Sequence, residues 1–246
     1  MNNINKTKIL NSFTLRVIAM VTMLLDHMYI TIFPNSNWMN YIGRISFPIF
    51  AFLLVEGFFH TSNLKRYLTR LAIFAVISEI PFNLMMNRTF IYPYHQNVLF
   101  TFIIGLATMY IIEKSKSFDN KVASVTLVIS TCIFSFIFAT ITLADYFGYG
   151  ILIILTFYFA YGLKNGWIIE VIGMIYVNFI LIGGNNISIF NGSYDLPIQA
   201  FALLSLIFIW LYNGKRGIST KAAQYTFYIF YPLHMLILYL ITFVIK

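Results

Sequence analysis

The run LRVIAMVTMLLDHMYITIF, residues 15–33, is nearly unbroken apolar sequence. A helix of about 20 such residues, rising about 1.5 Å per residue, spans the hydrocarbon of a bilayer. The apolar residues are continuous rather than alternating, which excludes a barrel strand. The run is too long for a secretory leader and lacks a small-residue cleavage site, so it is expected to be retained as a helix. Three residues break the pattern: Arg16 at its start, and the adjacent Asp26 and His27 well inside it.

The rest of the chain repeats the first run. The 246 residues are 60% hydrophobic and 10% charged, where soluble domains are about half apolar and about a quarter charged. Candidate spans fall at 13–33, 44–59, 68–87, 98–112, 122–143, 147–162, 167–183, 197–212 and 225–245. The breaks between them carry Gly, Pro, Asn and Ser, the residues of turns. The longest outer break is GGNNISIFNGSYDLP, 183–197. These features predict an all-α, polytopic transmembrane helical bundle of about nine spans, forming one integral-membrane domain over 1–246.

Loop charge orients it. With the N-terminus inside, Lys6, Lys8, Arg16, Lys65, Arg66, Arg70, Lys114, Lys116, Lys121, Lys164, Lys215, Arg216 and Lys221 all lie inside. Only Arg44, Arg88 and Lys246, of 16 Lys and Arg, fall outside. Every second break is basic, as nine crossings with N-in and C-out require. The net charge of +8 is therefore a topology signal, and without aromatic-basic interleaving no nucleic-acid partner is expected. The single cysteine, Cys132, sits in VTLVISTCIFSFIF and reads as packing.

Charge inside a span is costly and points to function by default. Arg16 and His27 are eleven residues apart, which returns to within about 20° of one helix face and climbs about 16 Å. One face of the first helix thus carries a cation at the cytoplasmic surface and an imidazole deeper in the membrane. A long anionic ligand of the shape of coenzyme A would lie along it, phosphates at Arg16 and far end at His27. Imidazole suits acyl transfer, because near neutral pH it takes a proton from an attacking amine or hydroxyl. Adjacent helical residues point about 100° apart, so Asp26 reaches the ring of His27 poorly, and Glu79 on the third span is the alternative carboxylate to orient it.

Other intramembrane polar residues carry two readings each. Arg44, in IGRISFPIF, is an interfacial arginine, a partner for Asp26 or a substrate contact. Glu79 and Asn83 share a face around Pro81. Glu56 and His60 read as a helix-end pair, and Glu170 as interfacial. Asp145, in LADYFGYGI, caps the sixth span or meets substrate at the outer face. His234, after Pro232 in FYIFYPLHMLILY, is a helix-packing histidine or a substrate contact. No HxxxH or HExxH spacing exists, so no metal is expected. Neither a P-loop nor G-x-S-x-G is present.

Several long stretches carry a resemblance: LRVIAMVTMLLDHM, YIGRISFPIFAFLLVEGFFHTSNLKRYLTRLAIFAVISEIPFNLM, QNVLFTFIIGLA, LADYFGYGILII, LYNGKRG and FYIFYPLHMLILYLI. On these, nearly the whole chain resembles the TraX family of membrane proteins, named for the pilin acetylase of conjugation systems. That family is similar in turn to the acyltransferase-3 type membrane acyltransferases, which carry Arg or Lys, ten residues, then His in the first helix; here the pair is Arg16 and His27. The resemblance implies a bacterial cytoplasmic (inner) membrane enzyme that moves acetyl from cytoplasmic acetyl-CoA, as cosubstrate, to an acceptor reached in or across the membrane. It implies His27 as the catalytic histidine and Arg16 as a coenzyme contact, with Lys65, Arg66, Arg70, Lys215 and Arg216 as partners for the CoA phosphates. The expected acceptor is the N-terminal amine of a pilin or other small exported or membrane peptide; a surface glycan or a lipoprotein amine is the alternative. A transporter would need paired halves, which the polar residues, clustered in the first three spans, do not form.

Overall fold

In the computed structural model, which describes residues 8–189 and 194–245, each expected apolar segment is helical. Lys6 and Lys246, which enter the loop-charge count, lie outside the described residues, as do 190–193 of the long outer break. The elements are α1 (Ser12–Thr31), α2 (Asn37–Gly43), α3 (Ser46–His60), α4 (Leu64–Asn87), α5 (Val98–Ser115), α6 (Lys121–Ile141), α7 (Phe147–Ala160) and α8 (Gly166–Ile175). After α8 come a π-helical turn (Tyr176–Ile182), the strands β1 (Asn186–Ile189) and β2 (Tyr194–Pro197), a 3-10 segment (Ile198–Leu204), α9 (Ser205–Trp210) and α10 (Lys221–Ile245).

Asparagine side chains cap four of these helices. The side chains of Asn11, Asn63, Asn97 and Asn120 accept hydrogen bonds from Thr14, Arg66, Leu99 and Ala123 N–H at 2.9, 2.8, 3.1 and 3.1 Å. Each satisfies an amide that the first helical turn leaves open.

Among the described residues six helices are long and apolar enough to cross a membrane: Ser12–Thr31, Asn37–His60, Leu64–Asn87, Val98–Ser115, Lys121–Ile141 and Lys221–Val244. Phe147–Ala160, Gly166–Ile182 and Ile198–Trp210 are apolar but shorter. The protein is an all-α multi-pass membrane bundle. Helices α3 and α7 are apolar all round and form its centre, with Ile49, Val55, Ile151, Ile153, Ile154 and Phe157 sealed from the surface. Around them pack α1, α5, α9 and the remaining helices. At the rim, α6 turns Val122, Val125, Ile129, Ile133 and Ile141 outward, an apolar stripe that suits acyl chains and not water.

Three local features differ from the sequence reading. Residues 37–43, expected as part of an outer break, form α2, and Arg44 stands at the interruption between α2 and α3 rather than at the start of one continuous helix. The outer break at 183–197 contains a short antiparallel hairpin in which Asn186 faces Pro197 and Ile189 faces Tyr194. Extended backbone is possible there because the segment stands outside the helices, where it need not close every hydrogen bond within itself. The segments on either side of the hairpin leave α-helical geometry, as a π-turn and a 3-10 run.

Candidate active site

Helices α1 and α10 lie side by side and run in the same sense. Near the start of both, Phe13 packs on Phe227 with ring centroids 5.4 Å apart, and the Arg16 guanidinium lies 5.4 Å from the Phe227 ring centroid. Further along, His27 meets His234. The first turn of α1 is held by the loop before α10. Ser12 N–H donates to Lys215 C=O at 2.8 Å and Phe13 N–H to Arg216 C=O at 3.1 Å, while Leu10 and Asn213 pair through Asn213 N–H to Leu10 C=O at 2.8 Å. Gly217 makes this possible. Its φ is +69°, and Asn11 occupies the space where a Cβ would stand. The YNGKRG segment is thereby fixed beside Arg16.

Between α1, α3, α4 and α10 opens a cavity of about 480 Å³. Arg16, Arg66, Arg70 and Arg216 line its mouth; the exposed Lys65 and Lys215 do not line it. Arg70 Nε is buried and makes no hydrogen bond among the described residues. A guanidinium donor left open in this way is suited to an anionic oxygen. Glu56 and His60 sit at the same end. Tyr212 O–H donates to Glu56 Oε1 at 2.9 Å, His60 Nδ1 lies 3.5 Å from Glu56 Oε1, and Arg216 Nη2 donates to the His60 carbonyl at 3.4 Å. The pair expected at the helix end is present and braces the cavity mouth. Glu170 accepts from Trp210 Nε1 at 2.7 Å.

The cavity narrows inward. Met23, Phe50, Val98, Phe102 and Tyr231 line both its floor and a second cavity of about 60 Å³. That space holds about four water-sized spheres, room for a small acyl group and an attacking atom. Asp26, His27, Asp145 and Tyr146 line it. The arrangement is a wide basic mouth, an apolar collar and a small polar chamber, which fits a molecule with a phosphorylated head and a thin uncharged arm.

In the chamber, Asp26 turns away from His27 and accepts a hydrogen bond from Arg44 Nη2, so α1 is tied to the break between α2 and α3. Gly43 permits this approach: a Cβ there would stand 2.6 Å from Asp26 Oδ1. Ser46 Oγ donates to Ala19 C=O at 2.8 Å and closes the same helix crossing. The His27 ring instead meets His234, Nδ1 to Nε2 at 2.7 Å, with the two rings within 6° of parallel. His234 Nδ1 lies 2.7 Å from the Phe230 carbonyl, and its ring stacks on Phe230 with centroids 4.6 Å apart.

Glu79 is not the partner of His27. Its Oε2 accepts from Asn97 Nδ2 at 2.5 Å, and Asn97 Nδ2 also reaches Ala75 C=O at 2.9 Å. This carboxylate ties α4 to the cap of α5.

In the chamber lining, Asp145 stands one residue before Tyr146, which occupies the cap position of α7. Its Oδ1 accepts the Tyr146 N–H at 3.1 Å and faces His95 Nε2 at 3.2 Å. Its carbonyl accepts from Thr101 Oγ1 at 2.5 Å. Leu143, Tyr146 and Phe147, all around Asp145, adopt positive φ of 54°, 62° and 48°. Such backbone costs of order 1–3 kcal/mol per residue and collects at functional sites. The Tyr146 ring stacks on Phe47 with centroids 4.0 Å apart. The hydrogen bond to Asp145 raises the pKa of His95 above the usual imidazole value, against a smaller opposing effect of burial.

Arg16, Asp26, His27, Arg44, Arg66, Arg70, Asp145, Arg216 and His234 thus converge on the two cavities and their walls. Tyr146, Tyr231, His95 and the collar residues join them without having been singled out in the sequence. Tyrosines and phenylalanines are too frequent in this chain, 17 and 26, for any one to stand out, and His95 lies in a break rather than in a span.

Residues 12–242 match the family described as TraX protein. The chain is 30% identical over 242 residues to a protein of Dichelobacter nodosus described as "Probable fimbrial assembly protein FimC, serogroup H1", covering 93% of this chain and 94% of the relative. It is also 27% identical over 101 residues to an uncharacterised protein of Rickettsia prowazekii (strain Madrid E), covering 41% of this chain and 37% of that protein. No solved structure matches.

Proposed function

The chain belongs to the TraX family, and from that premise we propose that it is an acetyl-CoA-dependent acetyltransferase of the bacterial inner membrane whose general base is His27. The observation that carries this reading is a pair of adjoining cavities, one with four arginines in its lining and the other with an imidazole, which share an apolar wall. Arg16, Arg66, Arg70 and Arg216 would hold the phosphates of coenzyme A, and the collar would exclude water from the arm. In the chamber His27 accepts the proton of the acceptor amine as its nitrogen bonds to the thioester carbonyl carbon. The carbon–sulfur bond breaks, and the imidazolium returns the proton to the departing thiolate sulfur. The products are an N-acetylated acceptor and the free thiol of coenzyme A.

The acceptor is the N-terminal amine of an exported or membrane peptide such as a pilin. The Dichelobacter nodosus relative, described as a fimbrial assembly protein, supports an acceptor of this kind. A neutral α-amine is accessible near pH 8, and Asp145 lines the chamber, with Arg44 held beside it by Asp26. Nine crossings, N-in and C-out, as the loop charges suggest, would set Asp145 toward the outside and the arginines toward the cytoplasm. The shared sense of α1 and α10 supports an odd number of crossings. The alternative acceptor is a surface glycan or a lipoprotein amine.

The test is purified protein, acetyl-CoA and a synthetic pilin N-terminal peptide, with mass spectrometry of the peptide. A gain of one acetyl group, lost about 10²–10⁴-fold in His27→Ala with acetyl-CoA binding retained, is expected. A His27→Ala protein that binds acetyl-CoA and acetylates at the wild-type rate would remove His27 from the reaction.

A further inference from the structure

We propose that His234 is a positioning residue that fixes the tautomer of His27, holding its Nδ1 protonated and its Nε2 free to act as base. The inference rests on the acetyltransferase reading above, and it follows from counting protons along one line of atoms. The Phe230 carbonyl only accepts hydrogen bonds. At 2.7 Å from His234 Nδ1, it requires that nitrogen to carry the proton. A neutral imidazole has one N–H, so His234 Nε2 is then a lone-pair acceptor. The 2.7 Å separation between His234 Nε2 and His27 Nδ1 is a hydrogen bond only with one proton between them, and that proton belongs to His27 Nδ1. His27 Nε2 is left unprotonated.

The other assignment makes His234 an imidazolium that donates from both nitrogens. That would bury a cation in a side chain only 5% exposed, with the Arg44 guanidinium in the same region and Asp26 already engaged with it. Uncompensated charge at this depth is costly, so the neutral chain is favoured.

The fold preserves the line. His234 is clamped by its ring stack on Phe230 and by Tyr231, whose ring centroid lies 5.9 Å away. The carbonyl therefore does for His27, through His234, what a buried carboxylate does for the histidine of a hydrolase triad: it selects tautomer and ring orientation. No carboxylate is needed in the role, which explains why Asp26 and Glu79 are both committed elsewhere.

The experiment uses the full-length protein in detergent, ¹⁵N-labelled in histidine, with His234→Gln and His234→Phe. Glutamine places an amide oxygen at the same number of bonds from the backbone as Nε2 and still accepts from His27. Phenylalanine keeps the ring shape and accepts nothing. Imidazole ¹⁵N shifts in wild type are expected to report His27 protonated at Nδ1, retained in the Gln variant and mixed in the Phe variant. With acetyl-CoA and the pilin peptide, kcat is expected to fall about a hundredfold in the Phe variant and to stay within about tenfold of wild type in the Gln variant, with KM for acetyl-CoA unchanged in both. Wild-type His27 protonated at Nε2, or a folded Phe variant with full kcat, overturns the proposal. If the Phe variant does not fold, the wild-type and Gln tautomers decide. If the protein acetylates nothing, the enzyme reading fails while the spectra still decide whether His234 sets the tautomer of His27.

Discussion

Arg44, at the break between α2 and α3, closes on Asp26, the residue immediately before His27. The pair engages the one carboxylate that sequence adjacency suggests for the histidine, and it pins the C-terminal half of α1 against the break between α2 and α3.

This pair predicts strong non-additivity. Arg44→Ala or Asp26→Ala alone leaves an unpartnered charge in an apolar surround, at a cost of about 3–5 kcal/mol. The double variant Asp26→Ala, Arg44→Ala should cost clearly less than the sum of the two single losses. Thermal unfolding of detergent-solubilised protein measures it, and additive losses in the double variant would show that the two side chains do not act as a pair.

The cavity mouth separates arginines from lysines that a charge count treats alike. Arg16→Ala and Arg70→Ala should each raise KM for acetyl-CoA about 10–100-fold, the worth of a charge-assisted hydrogen bond, with kcat at saturation held. Lys65→Ala and Lys215→Ala should change KM by less than about threefold, because screened surface charges contribute little. Steady-state kinetics test this; an equal effect of all four would mean that bulk charge, not lining geometry, recruits the cosubstrate.

Val98 lines both the wide cavity and the chamber and is only partly buried. Val98→Phe should narrow the collar, leave acetyl-CoA affinity at the mouth nearly unchanged and reduce kcat about a hundredfold, because a small misplacement of the reacting carbon is enough. Calorimetric binding together with turnover distinguishes this from general damage, in which both would fall.

His95 carries a pH prediction. Its hydrogen bond to Asp145 raises its pKa in the folded protein above the usual value of about 6.5. Its contribution to stability is therefore complete below about 6.5 and is lost as pH rises through the higher folded value. The midpoint of thermal unfolding should fall across this interval in wild type and fall less in His95→Gln. Identical slopes would mean that the His95–Asp145 contact does not contribute to stability.

Much of the fold was readable along the chain because each helix meets lipid on its own. In a bilayer the backbone must satisfy its hydrogen bonds locally, so apolar length, turn residues and loop charge are sufficient to locate helices without knowing what they touch. Where that constraint lapses, the reading was less complete: α2 and the hairpin between Asn186 and Pro197 lie in segments read as loops. The candidate site divides in the same way. Arg16 and His27 were found because they share one helix, and a helical period is a property of sequence.

The partner of His27 was not available to that logic. His234 lies 207 residues away, and adjacency favoured Asp26 while carboxylate chemistry favoured Glu79. The sequence alone determined a membrane bundle, its helices and one polar face on α1. Only tertiary packing decided that Asp26 belongs to Arg44, Glu79 to Asn97 and His27 to His234, because a hydrogen bond depends on where neighbouring helices bring two atoms, and that position is written in no single helix.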